Sequence, residues 1–408
     1  MDRRSFVCSV GAGSVGLLLP GATARLEAMP RVRVTGVELL PVRATERTVW
    51  LMIRLRTDAG LTGLGEASDA FGFANTSKQD AARMESELRR FFALVEGKSP
   101  LDIESYRQQG RPLVAQGGGL AAATAYSAIE QALWDLAGKS LDVPSYTLFG
   151  GRVRDTLQVY ANINRATKPR TPAGFAAAAR AAVAEGFRAV KAAPFDGFPA
   201  PGSPAPAIEA AVDAGIACVG AMRDAIGPTV ELMIDCHSFF DVALAERVAR
   251  ILEPQQLAWY EEPVAPTRVE DTIEIRRRIR QPMAGGETLF GMAGFAPLTR
   301  GRAVNVIMPD VKHCGGLLEL THIAAMADTD GVSVAPHNPS GPVSTAASIQ
   351  VCAVIKNFRL LEFQWGEVDW RRDVLNPPEL FAQGAIGVPD RPGFGIELND
   401  KVVRAHLM

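Results

Sequence analysis

Hydrophobic and polar positions alternate over three short segments near the start of the chain. Residues 32–39, 50–56 and 61–65 each place apolar side chains at about every second position, the period of a β-strand with one buried face. A short glycine-containing loop at 57–60 joins the second and third segments and predicts a hairpin. Helical spacing of apolar residues follows, at 77–95, 101–109 and 121–139. Strands followed by helices indicate an α+β unit, which we place at residues 32–150.

A different pattern begins after Gly151, where strand-like segments alternate with helical stretches rich in Ala, Arg and Glu. Eight strands and seven connections in about 210 residues fit a parallel β/α barrel, which we place at residues 151–375. The strands are predicted at 157–162, 187–193, 229–236, 257–263, 281–287, 303–310, 332–337 and 359–363. The alternative is an open doubly wound sheet, but that fold favours a G-x-G-x-x-G turn after its first strand. Here the first strand is followed by Asn162-Ile163-Asn164-Arg165, which does not match that turn.

Two terminal segments lie outside these units. Residues 376–408 are rich in Pro and Gly and are predicted to return to the α+β unit. Residues 1–24 contain Arg3-Arg4, a short apolar core and Ala22-Thr23-Ala24, which are the parts of an export signal of the twin-arginine type. We therefore expect a periplasmic or exported protein, or a cytoplasmic one if the signal is not used. The alternatives are an N-terminal tail without a targeting role and a mis-assigned start codon.

Composition narrows the class of protein. The chain has 408 residues, 43 basic against 45 acidic side chains and a net charge of −2, which gives no electrostatic case for nucleic acid as a partner. Hydrophobic residues make up 47% of the chain, so it can bury a large core and is not disordered. Its five cysteines do not form a disulfide framework, and we expect those after the signal to be buried thiols. The apolar part of the signal is shorter than the roughly 20 residues that a membrane span requires, and we expect no span elsewhere.

Carboxylates stand at the ends of three successive barrel strands. The third predicted strand ends at Asp235, and the same place on the next two is taken by Glu261 and Glu287, at equal intervals. Because barrel sites form at the C-terminal ends of strands, the three side chains should point into one mouth. Oxygen ligands alone suit a hard cation and favour Mg²⁺ over Zn²⁺. The alternative is that three unrelated acids cap the helices that follow.

Other strand ends supply groups for proton transfer. The sixth strand ends at Asp310 and the seventh at His337, and a carboxylate beside an imidazole fixes its tautomer and raises its basicity. Lys191 lies in the second strand, and we predict that it faces the mouth because burial in the core would be costly. His237 follows Asp235 by two positions, which in an extended strand places both side chains on one face.

These motifs resemble the mandelate racemase/muconate lactonizing enzyme branch of the enolase superfamily over nearly the whole chain, from about Val32 to Leu398. The matching segments are Ile234-Asp235, Tyr260-Glu261-Glu262-Pro263, Gly286-Glu287, Met308-Pro309-Asp310, Gly315-Gly316 and Ala335-Pro336-His337. The resemblance implies an α/β fold: a modified TIM barrel, (β/α)7β, with an N-terminal α+β capping domain. It also implies a symmetric homo-oligomer that binds a small molecule.

The same resemblance implies roles for the strand-end residues. In that branch the three acids bind Mg²⁺, here Asp235, Glu261 and Glu287, whereas the second acid of the Glu-Glu-Pro motif is usually not a ligand. The Asp/His pair of strands six and seven acts as the base, which implies Asp310 and His337.

Two further matches point to a dehydratase of sugar acids. Glu362, at the end of strand eight, matches a position that hydrogen-bonds the substrate carboxylate or its enediolate. The Asp-x-His motif on strand three resembles the galactonate and mannonate dehydratases, in which His237 would be the general acid. The implied reaction removes the α-proton through an enediolate that Mg²⁺ and Lys191 stabilise. Loss of the 3-hydroxyl then gives a 2-keto-3-deoxy acid.

Two other functions agree with some of these motifs. A 2-hydroxy-acid racemase or epimerase of the mandelate racemase type is the nearest, but racemases carry Lys-x-Lys on strand two, and here Ala193 takes the second place. Loss of that base favours a one-base reaction. A periplasmic sugar-acid binding protein would explain the signal and the three acids, but not the acid–base pair.

Some polar residues near these motifs have open roles. Lys312 and His313 follow Asp310 and are candidates for the edge of the mouth. Arg43 and Arg47 lie in the capping unit's first loop, which in this family covers the mouth; we predict that both are solvated. The identity of the sugar acid is not readable from these motifs.

Overall fold

The computed structural model describes residues 32–72, 76–117 and 119–408. The export signal predicted at residues 1–24 lies outside the described part of the chain. The capping unit begins with an antiparallel sheet whose strands pair in the order β1-β2-β3. These strands are β1 (Val34–Arg43), β2 (Val49–Thr57) and β3 (Thr62–Glu66).

Three helices follow this sheet: α1 (Lys78–Phe92), α2 (Ile103–Ala115) and α3 (Gly119–Ser140). Helix α1 packs on β1 and helix α3 on β2 and β3, while α2 packs on α3. Helix α2 continues past the predicted end at residue 109, through Pro112. Helix α3 is almost entirely buried, and it lies very close to β3 because that strand carries glycine where they meet. A Cβ on Gly63 or on Gly65 would lie 2.2 Å from a backbone carbonyl oxygen of α3. Only glycine therefore permits this helix–strand distance.

Eight parallel strands alternate with helices after residue 155, as the sequence pattern predicts. The strands are β4 (Thr156–Asn162), β5 (Ala189–Ala192), β6 (Glu231–Asp235), β7 (Trp259–Glu261), β8 (Met283–Gly285), β9 (Val306–Ile307), β10 (Ser333–Val334) and β11 (Leu361–Gln364). The helices are α4 (Pro172–Ala184), α5 (Ala205–Ile226), α6 (Val242–Leu252), α7 (Val269–Arg278), α8 (Gly291–Arg300), α9 (Leu317–Thr329) and α10 (Pro342–Cys352). Short 3-10 turns lie at Ser145–Phe149, Glu253–Gln255 and Arg371–Val374.

Strand pairing follows the order of a barrel. Neighbours pair in sequence from β4 to β10, and β11 pairs with β4. Two backbone hydrogen bonds join β10 to the segment that leads into β11: the Val334 N–H donates to Asn357 at 2.9 Å, and the Arg359 N–H donates to Val334 at 2.8 Å. Large side chains fill the interior below the mouth, where Tyr160 and Trp259 meet edge to face at 5.4 Å. The predicted barrel fold is confirmed.

Six of the eight barrel strands, β5 to β10, end before the predicted residue on the side of the mouth. The segment predicted as a strand to residue 310 is paired only over Val306–Ile307, and Asp310 lies in the loop beyond it. His337 likewise follows β10 by three residues and Glu287 follows β8 by two. Asp310, His337 and Glu287 are thus carried by loops that leave the ladder just before the functional residue.

One described helix, α5, has the length and composition of a membrane span. Its place between β5 and β6 is that of an outer barrel helix. One face packs inward, through Val212, Cys218, Val219 and Met222.

The C-terminal segment contacts both units. Strand β14 (Ala385–Gly387) pairs with β4 of the barrel and with β13 (Phe381–Ala382), while β12 (Leu375–Asn376) pairs with β15 (Glu397–Leu398). After helix α11 (Asp400–Ala405), the chain end lies against β1. There the Arg43 N–H donates to His406 O at 2.8 Å, and the Met408 N–H donates to Pro41 O at 3.0 Å.

Buried carboxylates of the capping unit bind the N-termini of barrel helices. Oε2 of Glu130, on α3, accepts the N–H of Leu317 at 2.7 Å, and its Oε1 accepts the N–H of Leu318 at 3.1 Å. Glu66 at the end of β3 accepts the N–H groups of Gly341 and Ser344, at the start of α10. The first N–H groups of a helix have no partner within it, so these carboxylates complete helices in the other unit.

Candidate active site

The three predicted ligands lie together at the mouth of the barrel. Asp235 and Glu261 end neighbouring strands in register, and Glu287 follows the next strand. One oxygen from each side chain lies within 4.8 Å of the others, and all three residues are buried.

Lys191 is the cation beside this triad. Its Nζ lies 2.8 Å from Oε1 of Glu261 and 3.8 Å from Oδ2 of Asp235, so the side chain faces the mouth as the sequence predicts. Burial opposes the charge of Lys191, but Glu261 and Glu362 outweigh it and raise the pKa of Lys191 well above its usual value. The residue is therefore a fixed positive charge and not a base.

One lysine does not neutralise three carboxylates. Burial, followed by the charge of Asp235, raises the pKa of Glu261 well above its usual value. Burial, Glu262 and Asp235 raise the pKa of Glu287 in the same way. The pKa of Asp235 is lowered in spite of burial, because the His237 ring and Lys191 stabilise its charge. Such crowding favours a proton or a cation at the site.

The triad fits a hard metal ion. All three donors are carboxylates, and within the described residues Oε2 of Glu287 is a buried oxygen that accepts no hydrogen bond of good geometry. The neighbouring Glu262 is turned away, since its Oε1 accepts the Gly286 N–H at 2.7 Å. Glu262 therefore holds the loop that presents Glu287, in agreement with its implied exclusion from the ligand set.

Glu362, on the last barrel strand, is held from several sides. Its Oε1 accepts from Lys191 Nζ at 2.9 Å and from Asn162 Nδ2 at 2.7 Å, and its Oε2 accepts the Asn338 N–H at 2.7 Å. Burial would raise the pKa of Glu362, but Lys191 and His337 outweigh it and lower the pKa. It therefore remains an ionised acceptor next to the triad.

Asp310 and His337 form a pair at one end of the triad. His337 Nδ1 lies 2.8 Å from Oδ2 of Asp310, and His337 Nε2 lies 3.2 Å from Oε2 of Glu287. Lys312 donates to the same Asp310 oxygen at 2.5 Å. Burial opposes the charge of Asp310, but Lys312, His313 and His337 outweigh it and hold its pKa far below the usual range. Asp310 therefore stays ionised beside the imidazole.

His237 lies at the other end of the triad. Its Nε2 is 3.1 Å from Oδ2 of Asp235, and its Nδ1 is 2.6 Å from Oδ1 of Asp196. Burial would lower the pKa of His237, but Asp235 and Asp196 outweigh it and raise the pKa well above the usual value. The expected proximity of His237 to Asp235 is present, but strand alternation does not cause it. Strand β6 ends at Asp235, and His237 has a φ of 45°, which is outside the extended region.

The cavity in front of these groups has a volume of 390 Å³, and nine of its twelve described lining residues are polar or charged. Arg47, from the loop between β1 and β2, is exposed as predicted, and it also lines this cavity. Arg43 is exposed on β1. Sequence reasoning missed three lining residues that lie on loops after barrel strands: Asn164, Arg165 and Asp196.

Lys312 and His313 lie behind Asp310 and not at the edge of the mouth. Both are buried, and neither belongs to the described lining of the cavity. His313 Nδ1 is 2.8 Å from Oγ1 of Thr124 on α3. Burial lowers the pKa of His313 to about 4, so its ring is neutral near pH 7.

A capped β/α barrel that gathers two histidines and a lysine around three carboxylates is the architecture of an enzyme for proton transfer. Residues 31–150 match the mandelate racemase/muconate lactonizing enzyme N-terminal domain family, and residues 174–402 match the enolase C-terminal domain-like family. The chain belongs to the mandelate racemase/muconate lactonizing enzyme family, and the resemblance carried by its motifs is confirmed.

Similar proteins include relatives named as sugar-acid dehydratases. The D-xylonate dehydratase of Haloferax volcanii is 31% identical over 389 residues, which cover 93% of this chain and 91% of the relative. The D-galactonate dehydratase of Ralstonia pickettii is 31% identical over 87% of this chain and 90% of its own. Among solved structures, a mandelate racemase/muconate lactonizing enzyme from Jannaschia sp. is 28% identical with a TM-score of 0.81, covering 92% of this chain and 98% of that one.

Proposed function

We propose that the protein is a hydro-lyase that removes water from a sugar acid, with a divalent cation, Mg²⁺, held by Asp235, Glu261 and Glu287. The observation that carries this proposal is the position of two histidines at the two ends of the triad. One lies 3.2 Å from Glu287 and the other 3.1 Å from Asp235. Dehydration needs both a base at the α-carbon and an acid at the leaving hydroxyl. The similar dehydratases of D-xylonate and D-galactonate support this reading.

The donor set supports Mg²⁺ as the ion. Three carboxylates without a nitrogen or sulfur donor among the clustered residues suit a hard cation better than zinc. When bound, the cation would polarise a substrate carboxylate and so favour loss of the adjacent proton.

His337 supplies the base in this proposal. Asp310 holds its Nδ1, so Nε2 is the ring nitrogen that faces the triad and would take the α-proton. A positioned base of this kind contributes about 10²–10⁴-fold to the rate. Lys191 stays protonated and offers its charge to the negative charge that forms as the proton leaves.

His237 supplies the acid. Its Nε2 would protonate the 3-hydroxyl, which leaves as water, and the enol that remains ketonises to a 2-keto-3-deoxy acid. Ala193 is buried where the racemases carry their second lysine, so strand two offers one basic side chain and not two. This difference favours dehydration over racemisation.

A screen of products tests the proposal. Purified protein with MgCl2 is incubated with a panel of aldonic and aldaric acids, and 2-keto-3-deoxy acids are measured. We expect product from at least one acid. Inversion at the α-carbon without a keto acid would instead indicate a racemase, and tight binding without turnover would indicate a binding protein.

Two histidine variants then assign the proton transfers. His337→Asn should abolish both exchange of the α-proton in D2O and dehydration, whereas His237→Asn should lose dehydration and keep exchange. His322→Asn, on the exposed side of α9, is the matched control and should keep both activities. Undiminished exchange in His337→Asn would remove His337 as the base.

We further propose export through the twin-arginine route and a symmetric homo-oligomer. Replacing Arg3 and Arg4 with lysine should retain the protein in the cytoplasm of a host with that route, as cell fractionation would show. Sedimentation equilibrium of the purified protein would give a mass that is a multiple of 43.6 kDa. A monomer mass would contradict the second proposal.

A further inference from the structure

The cavity contains a second carboxylate–imidazole pair that the proposed reaction does not yet explain. Oδ1 of Asp196 lies 2.6 Å from Nδ1 of His237. Asp196 comes from the loop after β5, and His237 comes from the loop after β6. The pair has the same composition as Asp310–His337, but it lies at the opposite end of the triad.

Asp196 is itself held in a fixed orientation. Its Oδ2 accepts from Asn164 Nδ2 at 2.8 Å and lies 3.3 Å from the guanidinium of Arg170. Arg170 also donates to Oδ1 of Asn164 at 2.9 Å, and the Asn164 N–H donates to Oδ1 of Asn162 at 2.9 Å. This chain of hydrogen bonds leaves Oδ1 of Asp196 directed at the imidazole.

The backbone at His237 is also unusual. His237 and Ser238 have φ values of 45° and 60°, which non-glycine residues adopt at a cost. The His237 N–H donates to Oδ1 of Asp235 at 2.9 Å, which fixes this turn against the triad. With Nδ1 on Asp196, the ring presents Nε2 to the cavity and to Asp235.

We propose that Asp196 is the positioning residue of the general acid, an inference that rests on the proposed dehydratase function. It binds the Nδ1–H of His237 and directs the Nε2–H toward the leaving hydroxyl. In the step, the electrons of the C–H bond form the C=C bond, and the C–O pair leaves with the oxygen. The Nε2 proton goes to that oxygen, which departs as water. The ring keeps its Nδ1–H on Asp196, and the α-proton is on His337.

Comparing two rates separates a positioning role from a structural one. Asp196→Asn, His237→Asn and the double variant are assayed for dehydration and for α-proton exchange in D2O. For Asp196→Asn we expect dehydration to fall by about 100-fold or more, while exchange stays within about threefold of wild type. The double variant should be no more than about twofold slower than His237→Asn, because both changes remove one function.

Asp241→Asn is the matched control. Asp241 lies in the same β6–α6 loop as His237, but it caps helix α6 by accepting the Leu244 N–H, and asparagine caps as well. Both of its rates should remain close to wild type. Equal loss of exchange and dehydration in Asp196→Asn, or a double variant much slower than His237→Asn, would overturn the inference.

A second readout does not depend on turnover. The chain has five histidines, so a sample labelled with 15N-histidine gives a small set of imidazole signals. A hydrogen-bonded Nδ1–H signal that is lost in His237→Asn should also be lost or shifted strongly in Asp196→Asn, and should persist in Asp241→Asn. An unchanged signal in Asp196→Asn would refute the pair. If the Asp196–His237 hydrogen bond is intact but the protein forms no keto acid, the proposed dehydratase function is wrong, and the positioning role of Asp196 in that reaction is wrong with it.

Discussion

The ammonium of Lys191 lies 2.9 Å from Oε1 of Glu362, so the second and the last barrel strands are joined by a buried ion pair. Both strands flank β4, and the same ammonium reaches the triad through Glu261. Lys191 therefore has two functions. It compensates buried carboxylates in the metal-free protein, and in the proposed reaction it stands where negative charge develops.

Lys191→Met should be strongly destabilising in the absence of metal. Removing one partner of a buried ion pair leaves uncompensated charge and costs about 3–5 kcal/mol. Urea unfolding in EDTA would measure this loss. Lys356→Met is the matched control, because Lys356 pairs with Asp328 at the surface, and its loss should cost less than about 1 kcal/mol. Similar losses in the two variants would contradict the proposed compensation.

Metal binding should stabilise the wild-type fold. Mg²⁺ at about 100 times its dissociation constant should add about 3 kcal/mol to the free energy of unfolding, and chelation should remove both this gain and the activity. In Glu287→Gln the metal-free protein should be at least as stable as wild type, because burial and the neighbouring acids disfavour the charge of Glu287. That variant should show no Mg²⁺ response in thermal unfolding. An unchanged response would exclude Glu287 as a ligand.

His313 should make the protein sensitive to acid. Burial lowers its pKa to about 4 from an ordinary value of 6.5, so the unfolded chain binds a proton at a higher pH than the folded one. The stabilising effect of the neutral ring is complete above pH 6.5 and is lost as the pH falls toward 4. Relative to His313→Gln, wild type should lose about 2 kcal/mol between pH 7.5 and pH 5, as urea unfolding at each pH would show. Parallel pH profiles would contradict this assignment.

Glu130 should stabilise the contact between the capping unit and the barrel. Glu130→Ala leaves the buried N–H groups of Leu317 and Leu318 without an acceptor, which costs about 1–3 kcal/mol. Amide hydrogen exchange at these two positions should become faster. Glu96→Ala, in the turn after α1, is the control, because Glu96 is exposed; this change should leave their protection unchanged. Protection that survives in Glu130→Ala would show that the cap is dispensable.

The triad could be predicted because two periodic features coincide at Asp235, Glu261 and Glu287. Parallel strands repeat at a nearly constant chain interval, and their C-terminal ends converge on one mouth. An apolar strand pattern that ends in an acidic residue therefore predicts both that the residue belongs to a barrel strand and that its side chain lies at the mouth. The same reasoning placed Lys191 correctly, since an isolated charge in an apolar strand must face the polar end of the barrel.

The contact between Asp196 and His237, the proposed general acid, could not be predicted in this way. Asp196 lies in a loop. Its neighbour Phe195 is a buried core residue, and its other neighbour, Gly197, is a turn residue. Its meeting with His237 depends on a left-handed turn after Asp235, which strand alternation does not encode. An Asp-Gly pair soon after the strand of Lys191 was the available signal, but it also describes a solvent-exposed turn. The place of Arg47 at the cavity was not predictable for the same reason, because the path of a loop is set by contacts far away in the chain.

The course of the C-terminal segment means that the barrel is an insertion within the capping unit. The chain leaves the capping unit before β4, and it returns through the hydrogen bonds that join Arg43 to His406 and Pro41 to Met408. If residues 32–150 alone were exchanged between relatives, the transferred capping unit would thus lack the C-terminal residues that pack against β1. A functional chimera needs two crossovers, one on each side of the barrel, and a tag joined directly to Met408 would press on the sheet next to the loop that carries Arg47.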